Sequence, residues 1–488
     1  MGLNSIDHVV VLMLENRSFD HMLGYLYAPG NKSPLTEQDF DGLTGAEYNQ
    51  DAGENQILVT KITSQTPNAY WMPLCDPGEG YQNTNQQLFG IDPTAQPPQP
   101  PVATNQGFVV NFATAIQHDA HTNEPPWPGA EPTSIMGMYT PETLPVLSAL
   151  AKGFAVCDRW FASAPTETIP NRAFALAATS QGHLTDNKNN VYTCPSIYGK
   201  LTQAGVSWMV YGYTQAPYTQ MDFPDTRSAP AANFGRFAGF QQQAQEGSLP
   251  AFSFLEPEWG NKGNSQHPAY NVAAGEALIS KVYRACRDGK DWDSTLLIIT
   301  YDEHGGCYDH VPPPQGAAPP DANPPTPDFG FDFTRFGVRV PTVLISPLIA
   351  EGTVYRAPDS GPPHDHTSVL ATIEKRWGLT PLTQRDAAAP DVGSVLTLDQ
   401  PRSDDPLAGI QPPDVIPVTG AAGATLQQDD TPSHIQQVYA NLAAKLPIPQ
   451  TAGAAPAEAV NALTTGTQHS DFIESRLQTW NTMKTNPA

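Results

Sequence analysis

The sequences IDHVVVLML at residues 6–14 and TLLIIT at residues 295–300 are two unbroken apolar runs of strand length. Three further runs share this character: GFAVCD at 153–158, VSWMVY at 206–211 and VRVPTVLIS at 338–346. Continuous rather than alternating hydrophobicity is typical of strands covered on both faces, as in a parallel sheet flanked by helices. Helical periodicity lies between these runs, at residues 171–180, 275–287 and 368–377. The alternation predicts an open, doubly wound α/β domain.

The composition excludes several classes of protein. The chain has 488 residues with 49 Asp and Glu against 25 Lys and Arg, a formal net charge of −24. Such a balance argues against binding nucleic acid or an anionic membrane surface, which need clustered basic side chains. No apolar run reaches the ~18 residues of a membrane helix. The N-terminus lacks the features of a signal peptide, so a cytoplasmic location and export with a removed signal both stay open.

Proline- and glycine-rich stretches interrupt the α/β pattern and predict loop-rich insertions. We expect a catalytic domain over residues 1–384 and an appended C-terminal segment over residues 385–488. That segment shows two weak helical patterns, at residues 433–446 and 471–483. The five cysteines are widely spaced without a CxxC pair, which indicates reduced thiols, at most one or two disulfide bridges, and no zinc–cysteine site.

Polar residues follow two of the predicted strands directly. Glu15 and Asn16 come after the first run, and Asp302 and Glu303 come after the run at 295–300. Ligands of open α/β sheets bind beyond the carboxyl ends of the strands. Carboxylate and amide oxygens suit a hard divalent cation. A single acidic pair would more often cap a turn, but two strand ends that are each followed by such oxygen ligands favour a metal site.

A third element, FASAPTETIPNR at residues 161–172, opens a predicted helix. A threonine at a helix entrance is usually an N-cap. A helix N-terminus also favours phosphate, and a hydroxyl beside a divalent metal is an activated nucleophile. Physical reasoning alone leaves Thr166 and Thr168 both open.

The histidines are the remaining candidates for proton transfer. His267 lies in a polar loop, His304 adjoins the acidic pair, and His364 and His366 precede a predicted helix. Each one alone is more often structural than catalytic. We place His8, His434 and His469 at the surface and assign them no catalytic or binding role.

Several segments together resemble a known family: ENRSFDHMLGYL, DPGEGYQNTNQQLFG, FAVCDRWFASAP with PNRAFALAATSQG, YDEHGGCYDHVPPP and VRVPTVLISPLI. They look like the phosphoesterases that include bacterial phosphatidylcholine-preferring and plant non-specific phospholipases C and related acid phosphatases. The resemblance runs from about residue 6 to about residue 379. It implies an alkaline-phosphatase-like α/β fold with a divalent metal and a hydroxyl nucleophile.

Carried over motif by motif, the resemblance implies site residues. Glu15, Asn16, Asp302 and Glu303 would be metal ligands, together with Thr168. The family nucleophile stands two residues before Pro-Asn-Arg, which selects Thr168 over Thr166. His267 and His366 fall at family histidine positions, although the Asp of the stretch around His267 is Ser265 here.

One position departs from the family pattern. Relatives typically read DPGH where this chain reads Asp76-Pro77-Gly78-Glu79. If that His assists the leaving group in relatives, then Glu79 with a raised pKa, or another residue such as His121, takes its place here.

The sequence therefore predicts hydrolysis of phosphate esters through a phosphothreonine, with His267 or His304 carrying protons. Diester cleavage of the phospholipase C type is the leading function. A phosphatase for monoesters and a catalytically decayed binding protein are the alternatives. We expect one divalent ion, with Mg²⁺, Mn²⁺, Ca²⁺ and Zn²⁺ all open. A lipid substrate would need an apolar rim, which the loops at 70–73 and 127–128 supply unless they are buried anchors.

Overall fold

The structure is a computed structural model, and it describes residues 2–120, 125–187, 192–320, 326–420, 424–426, 430–448 and 456–485. The strands within these residues are, in chain order, β1 (His8–Leu14), β2 (Tyr48–Gln50), β3 (Gln56–Leu58), β4 (Thr60–Ile62), β5 (Gly137–Tyr139), β6 (Ala155–Cys157), β7 (Trp160–Phe161), β8 (Trp208–Gly212), β9 (Phe234–Arg236), β10 (Phe252–Leu255), β11 (Thr295–Tyr301), β12 (Thr342–Ile345), β13 (Thr353–Val354), β14 (His364–Asp365), β15 (Val418–Thr419) and β16 (Thr425–Leu426).

Across the described residues, eight strands form one central sheet in the order β13-β6-β12-β11-β1-β10-β8-β9. All five predicted apolar runs contribute a strand to it. Strand β12 runs antiparallel to both of its neighbours, β11 and β6, and the other pairs are parallel. The sheet is therefore mixed, although the continuous apolar runs are typical of parallel strands. A two-sided apolar run looks the same in either direction, so strand polarity is not encoded in hydrophobicity.

The α-helices within these residues are α1 (Phe19–Leu23), α2 (Tyr81–Phe89), α3 (Phe108–Asp119), α4 (Pro145–Gly153), α5 (Thr168–Ala177), α6 (Ile197–Gln203), α7 (Pro224–Ser228), α8 (Phe237–Glu246), α9 (Val272–Arg287), α10 (Thr367–Trp377), α11 (Gln384–Ala388), α12 (His434–Ala444), α13 (Pro456–Asn461) and α14 (Gly466–Thr485). Helix α9 contacts α4 and α8 beside the sheet, and α5 contacts α6 and α10. The predicted α/β class, a sheet flanked by helices, is confirmed.

The sheet centre explains why the apolar runs are continuous. Residues 9–14 of β1 and the whole of β11 are buried, because these strands have sheet neighbours on both sides and helices over their faces. The two strands pair in parallel with Leu14 opposite Tyr301. Their carboxyl ends therefore lie side by side, and the residues that follow each strand meet there.

The segment beyond residue 384 packs closely on the rest of the chain. Val392, Val395 and Leu407 belong to the same buried cluster as the central strands, and so do Ile435 and Val438 of α12. The predicted helices of this segment correspond to α12 and α14. The domain boundary at residue 384 stays a prediction.

The five cysteines, all within the described residues, carry free thiols, as their spacing indicated. In the part of the chain that the structure describes, no helix combines the length and the apolar character needed to cross a lipid bilayer.

Candidate active site

The two loaded strand ends come together as the sequence predicts. The backbone N–H of Asn16, just after β1, donates to Oδ1 of Asp302, just after β11, over 3.0 Å. The N–H of Glu303 donates to the same oxygen over 2.8 Å. Glu15, Asn16, Asp302 and Glu303 are all buried. A carboxylate oxygen that accepts two backbone hydrogen bonds is rigidly placed, so the two segments form one fixed wall.

The glycine after His304 makes this contact possible. A β-carbon on Gly305 would overlap the backbone carbonyl of Asn16. Gly305 also has a left-handed backbone with φ of 59°, which glycine adopts without strain. The absence of a side chain at Gly305 therefore lets the two strand-end segments pack together.

Thr168 is the first residue of α5, and its hydroxyl points at this wall. Its Oγ1 donates to Oδ1 of Asn16 over 3.0 Å. The hydroxyl of Thr166 instead donates to the carbonyl of Leu184 over 2.5 Å, away from the acidic residues. The structure thus separates the two threonines that physical reasoning from the sequence left open.

Arg172, one turn further along α5, is a site residue that the sequence analysis quoted but gave no role. Its Nε donates to Oδ2 of Asp302 over 2.9 Å, and Nη2 donates to the carbonyls of Met13 and Leu14. Its guanidinium lies 4.6 Å from the centre of the Trp259 ring. An arginine inside the apolar helical sequence NRAFALAA was the available signal, because a buried charge needs a partner.

The wall carries a surplus of buried negative charge. Burial and repulsion from Asp302 raise the pKa of Glu303 well above its ordinary value. Burial raises the pKa of Asp302, with Arg172 opposing the shift and Glu15 adding to it. Oε1 of Glu15 and Oε1 of Glu303 are buried, and neither has a hydrogen-bond partner within the described residues. Two bare carboxylate oxygens in an all-oxygen donor set fit a hard divalent cation.

Glu79 adjoins the wall from the segment before α2. Its Oε2 accepts from Nδ2 of Asn16 over 2.5 Å, so Asn16 joins Glu79 to Thr168. Burial and repulsion from Glu303 and Asp76 raise the pKa of Glu79 well above its ordinary value. His267 lies beside it, with Nε2 3.9 Å from Glu79 Oε2 and Nδ1 3.8 Å from Asp76 Oδ1. One ligand atom from each of these three residues could share a cation.

Two other predicted histidines support the wall from behind. His304 is buried, and its ring nitrogens lie 3.0 Å from Glu303 Oε2 and 2.8 Å from Gln87 Oε1. Burial lowers the pKa of His304 to about 3. Nε2 of His366 lies 2.5 Å from the carbonyl of Asp302, and burial lowers the pKa of His366. These contacts favour holding the acids in place over carrying protons.

The histidines assigned to the surface do not share one environment. His469 is buried, so its surface assignment was wrong; it lies on α14 where that helix packs beside α12. His8 is partly buried at the start of β1, at the opposite end of that strand from the acids. His434 is exposed. His121, named above as a substitute acid, lies outside the described residues.

The aromatic loops at 70–73 and 127–128 are anchors rather than a rim. Trp71 is buried, and its Nε1 donates to the carbonyl of Ile416 over 2.7 Å. Nε1 of Trp127 donates to the carbonyl of Ala269 over 3.0 Å, and the two rings lie 5.5 Å apart. An indole N–H that donates to a backbone carbonyl of another segment holds its loop in place.

A second polar cluster, Asp20, Asp309 and His310, has a geometry that could hold a cation. It is already balanced by positive charge. Arg339 donates to Asp309 Oδ1 and to Asp20 Oδ1, each over 2.9 Å. Nδ1 of His310 lies 2.6 Å from Asp20 Oδ2. Burial lowers the pKa of His310, but the charge of Asp20 and the hydrogen bonds to Asp20 and Asp41 together raise it to about 10. We assign this cluster to structural ion pairing.

Comparison with known proteins identifies the class. A family model described as "Phosphoesterase family" matches residues 6–380. Non-specific phospholipase C1 of Arabidopsis thaliana is 36% identical over 420 residues, which cover 82% of this chain and 73% of that protein. Phospholipase C B of Mycobacterium tuberculosis is 29% identical over 462 residues, covering 82% and 79%. The protein is therefore a hydrolase that acts on phosphate esters. The chain belongs to the phosphoesterase family.

Among solved structures, a phosphonate monoester hydrolase from Silicibacter pomeroyi aligns with 54% of this chain and 73% of its own, with 14% identity and a TM-score of 0.31. A TM-score this low does not identify a shared fold. The α/β assignment rests on the sheet and helices of the chain itself.

Proposed function

We propose that the protein cleaves phosphodiesters in the manner of a phospholipase C, with Thr168 as the nucleophile. The observation that carries the proposal is the hydroxyl of Thr168 at a helix N-terminus, hydrogen-bonded to Asn16 within a wall of buried acids. The phospholipases C among its relatives support a phospholipid substrate. A phosphatase for monoesters is the alternative, since the same site needs only one phosphoryl group.

In the proposed reaction Oγ of Thr168 attacks phosphorus and the bond to the diacylglycerol oxygen breaks. The proton lost by Thr168 balances the proton gained by the leaving alcohol. Water then attacks the phosphothreonine, which returns the hydroxyl to Thr168 and releases the phosphorylated head group. Asn16 orients the nucleophile, because its amide oxygen accepts from Thr168 while its Nδ2 donates to Glu79.

Glu15, Asn16, Asp302 and Glu303 would hold a divalent ion, with Thr168 beside it. Such an ion would draw electron density from the phosphoryl oxygens and lower the pKa of the threonine hydroxyl. Arg172 fixes Asp302, and His304 and His366 fix the acids from behind. Glu79 remains our candidate proton donor to the leaving group, with His267 as the nearest histidine.

Product analysis tests the reaction type directly. With phosphatidylcholine vesicles and added divalent ion, we expect diacylglycerol and phosphocholine in equal amounts and no free fatty acid. Matched alkyl phosphate monoesters should turn over more slowly than diesters. Faster hydrolysis of the monoesters, with no diacylglycerol from vesicles, would establish the phosphatase alternative instead.

Phe329 is our candidate for an apolar contact between the protein and a lipid substrate. Phe329 is 45% exposed and stacks on Tyr81, with ring centres 5.4 Å apart. Tyr81 opens α2 two residues after Glu79, so this stack adjoins the site. Asp328 holds the turn by accepting from the N–H of Leu184 over 2.9 Å. Phe329 also has a left-handed φ of 55°, a rare conformation for a bulky residue.

Replacing Phe329 with alanine should lower activity on phospholipid vesicles by about 5- to 10-fold, since a half-exposed aromatic loses apolar contact with lipid. Hydrolysis of a short soluble phosphodiester should stay unchanged. Leu35→Ala is the matched control, because Leu35 is 60% exposed. The neighbouring Thr36 donates to the carbonyl of Gly352, the residue before β13. Strand β13 is an edge strand of the sheet, whereas the acids follow the central strands β1 and β11. Equal losses on both substrates would contradict a lipid contact.

A further inference from the structure

The C-terminal segment contacts the segment of Asp186 through His434, the first residue of α12. Nε2 of His434 lies 3.2 Å from the backbone carbonyl of Asp186. A carbonyl oxygen only accepts, so this bond places a hydrogen on Nε2. The ring itself is exposed. His434 lies outside the range that matches the family, residues 6–380.

Asp186 connects this imidazole to the segment that carries the nucleophile. Its Oδ1 accepts from the N–H of Ile169 over 2.7 Å, and its N–H donates to Oε2 of Glu167 over 2.5 Å. Glu167 and Ile169 flank Thr168 in the chain. Asp186 therefore links His434 by hydrogen bonds to both chain neighbours of the nucleophile.

The charge of His434 interacts with acids on two segments of the site. Burial raises the pKa of Glu167 to about 7 and that of Asp76 to about 6, and the charge of His434 acts in the opposite sense on both. Glu167 precedes Thr168, whereas Asp76 belongs to the segment of Glu79. Together with the bond to Asp186, this attraction for acids of both segments favours a position of His434 between them.

Helix α12 is held firmly enough to fix this position. Tyr439 donates its hydroxyl to Asp222 Oδ1 over 2.9 Å, and its ring packs 4.8 Å from that of Tyr218. Gln436 donates to the carbonyl of Trp259 over 3.4 Å. The Trp259 ring in turn lies against Arg172. The elements that hold the C-terminal helix thus also border the catalytic wall.

An anionic ester entering this site meets acids on several sides. Arg172 uses its guanidinium on Asp302 and on the carbonyls at the end of β1. An imidazole that carries hydrogen on both ring nitrogens donates from Nδ1 as well as from Nε2. The ring can therefore offer a charged donor to a phosphoryl oxygen while Nε2 stays on Asp186.

We infer that His434 is a substrate-contacting residue at the mouth of the active site, supplied by the C-terminal segment, and that it binds the phosphate group of the ester. The inference rests on the proposed function for its substrate. Its chemistry applies equally to inorganic phosphate, which tests His434 independently of turnover.

The experiment compares His434→Ala and His434→Gln with the wild type, all loaded with divalent ion. For His434→Ala we expect KM for a soluble phosphodiester and the Kd of inorganic phosphate by calorimetry to rise about tenfold, with kcat within about twofold. His434→Gln, which lacks the charge, should bind phosphate almost as weakly. His8→Gln is the matched control, because the ring of His8 also bonds a backbone carbonyl, that of Pro250 over 3.0 Å, at the far end of β1.

Unchanged KM and phosphate affinity in His434→Ala would overturn the inference, and so would a fall in kcat with KM unaltered. Loss of bound metal or a lowered unfolding temperature in both His434 variants would overturn it too, because the residue would then act on the structure. A wild type that binds phosphate through His434 but cleaves no diester would refute the proposed function and leave the inference standing.

Discussion

Replacing Thr168 with alanine is expected to lower kcat by about 10⁴-fold on every phosphate ester that the wild type cleaves, because the covalent route is lost with the hydroxyl. Thr168→Ser keeps a hydroxyl on the same carbon and should retain measurable turnover. The fold should persist, since alanine suits the first turn of a helix and the lost bond to Asn16 is one contact within a dense network.

Thr166→Ala is the matched control for this experiment. Thr166 is equally buried, but its hydroxyl bonds the Leu184 carbonyl and not the acidic wall. We expect its loss to cost about 1 kcal/mol of stability with kcat nearly unchanged. Acid quenching during turnover, followed by mass spectrometry, should place the phosphoryl group on Thr168. A phosphorylated Thr166, or an active Thr168→Ala protein, would refute the assignment of the nucleophile.

Removing one anionic oxygen from the wall should have the second largest effect. Glu15→Gln and Glu303→Gln each replace a carboxylate whose Oε1 is buried without a hydrogen-bond partner in the described part of the chain. We expect each change to weaken divalent-ion binding by about 100-fold or more and to lower activity accordingly. Elemental analysis after dialysis measures the retained metal.

Thermal unfolding with and without added ion separates lost binding from lost folding. The wild type should gain stability as ion is added, because the ion binds only the folded state. Both variants should gain little. Without ion they should unfold no more easily than the wild type, since each change removes one acid from a buried cluster whose members oppose one another's ionisation.

Glu276→Gln controls for the general effect of replacing a buried carboxylate by an amide. Glu276 is buried but caps α4, its oxygens accepting from the N–H groups of Val146 and Leu147. This variant should lose stability yet keep its metal. Stoichiometric metal in both Glu15→Gln and Glu303→Gln would mean that these acids are structural caps.

The sequence by itself determined five strands of the central sheet, five of the helices and the position of the acids along the chain. Apolar runs long enough to be buried on both faces specify central strands wherever they occur, and a polar residue directly after such a run must lie at a strand end. The pairing of Glu15 with Asp302 follows once β1 and β11 are neighbours. The short strand β10 was missed, because FSFL is too brief to separate from loop sequence.

The tertiary structure decided everything that depends on which distant segments meet. The reversal of β12, the pairing of Arg172 with Asp302 and the contact of Glu79 with Asn16 join residues far apart in the chain. The sequence around His434 does not distinguish it from other surface histidines, because its partner Asp186 lies far away in the chain. The local hydrophobic pattern determines whether a segment forms a helix or a strand, because each has its own period of buried side chains. Contacts across the chain depend on the packing of the whole core, which no single segment encodes.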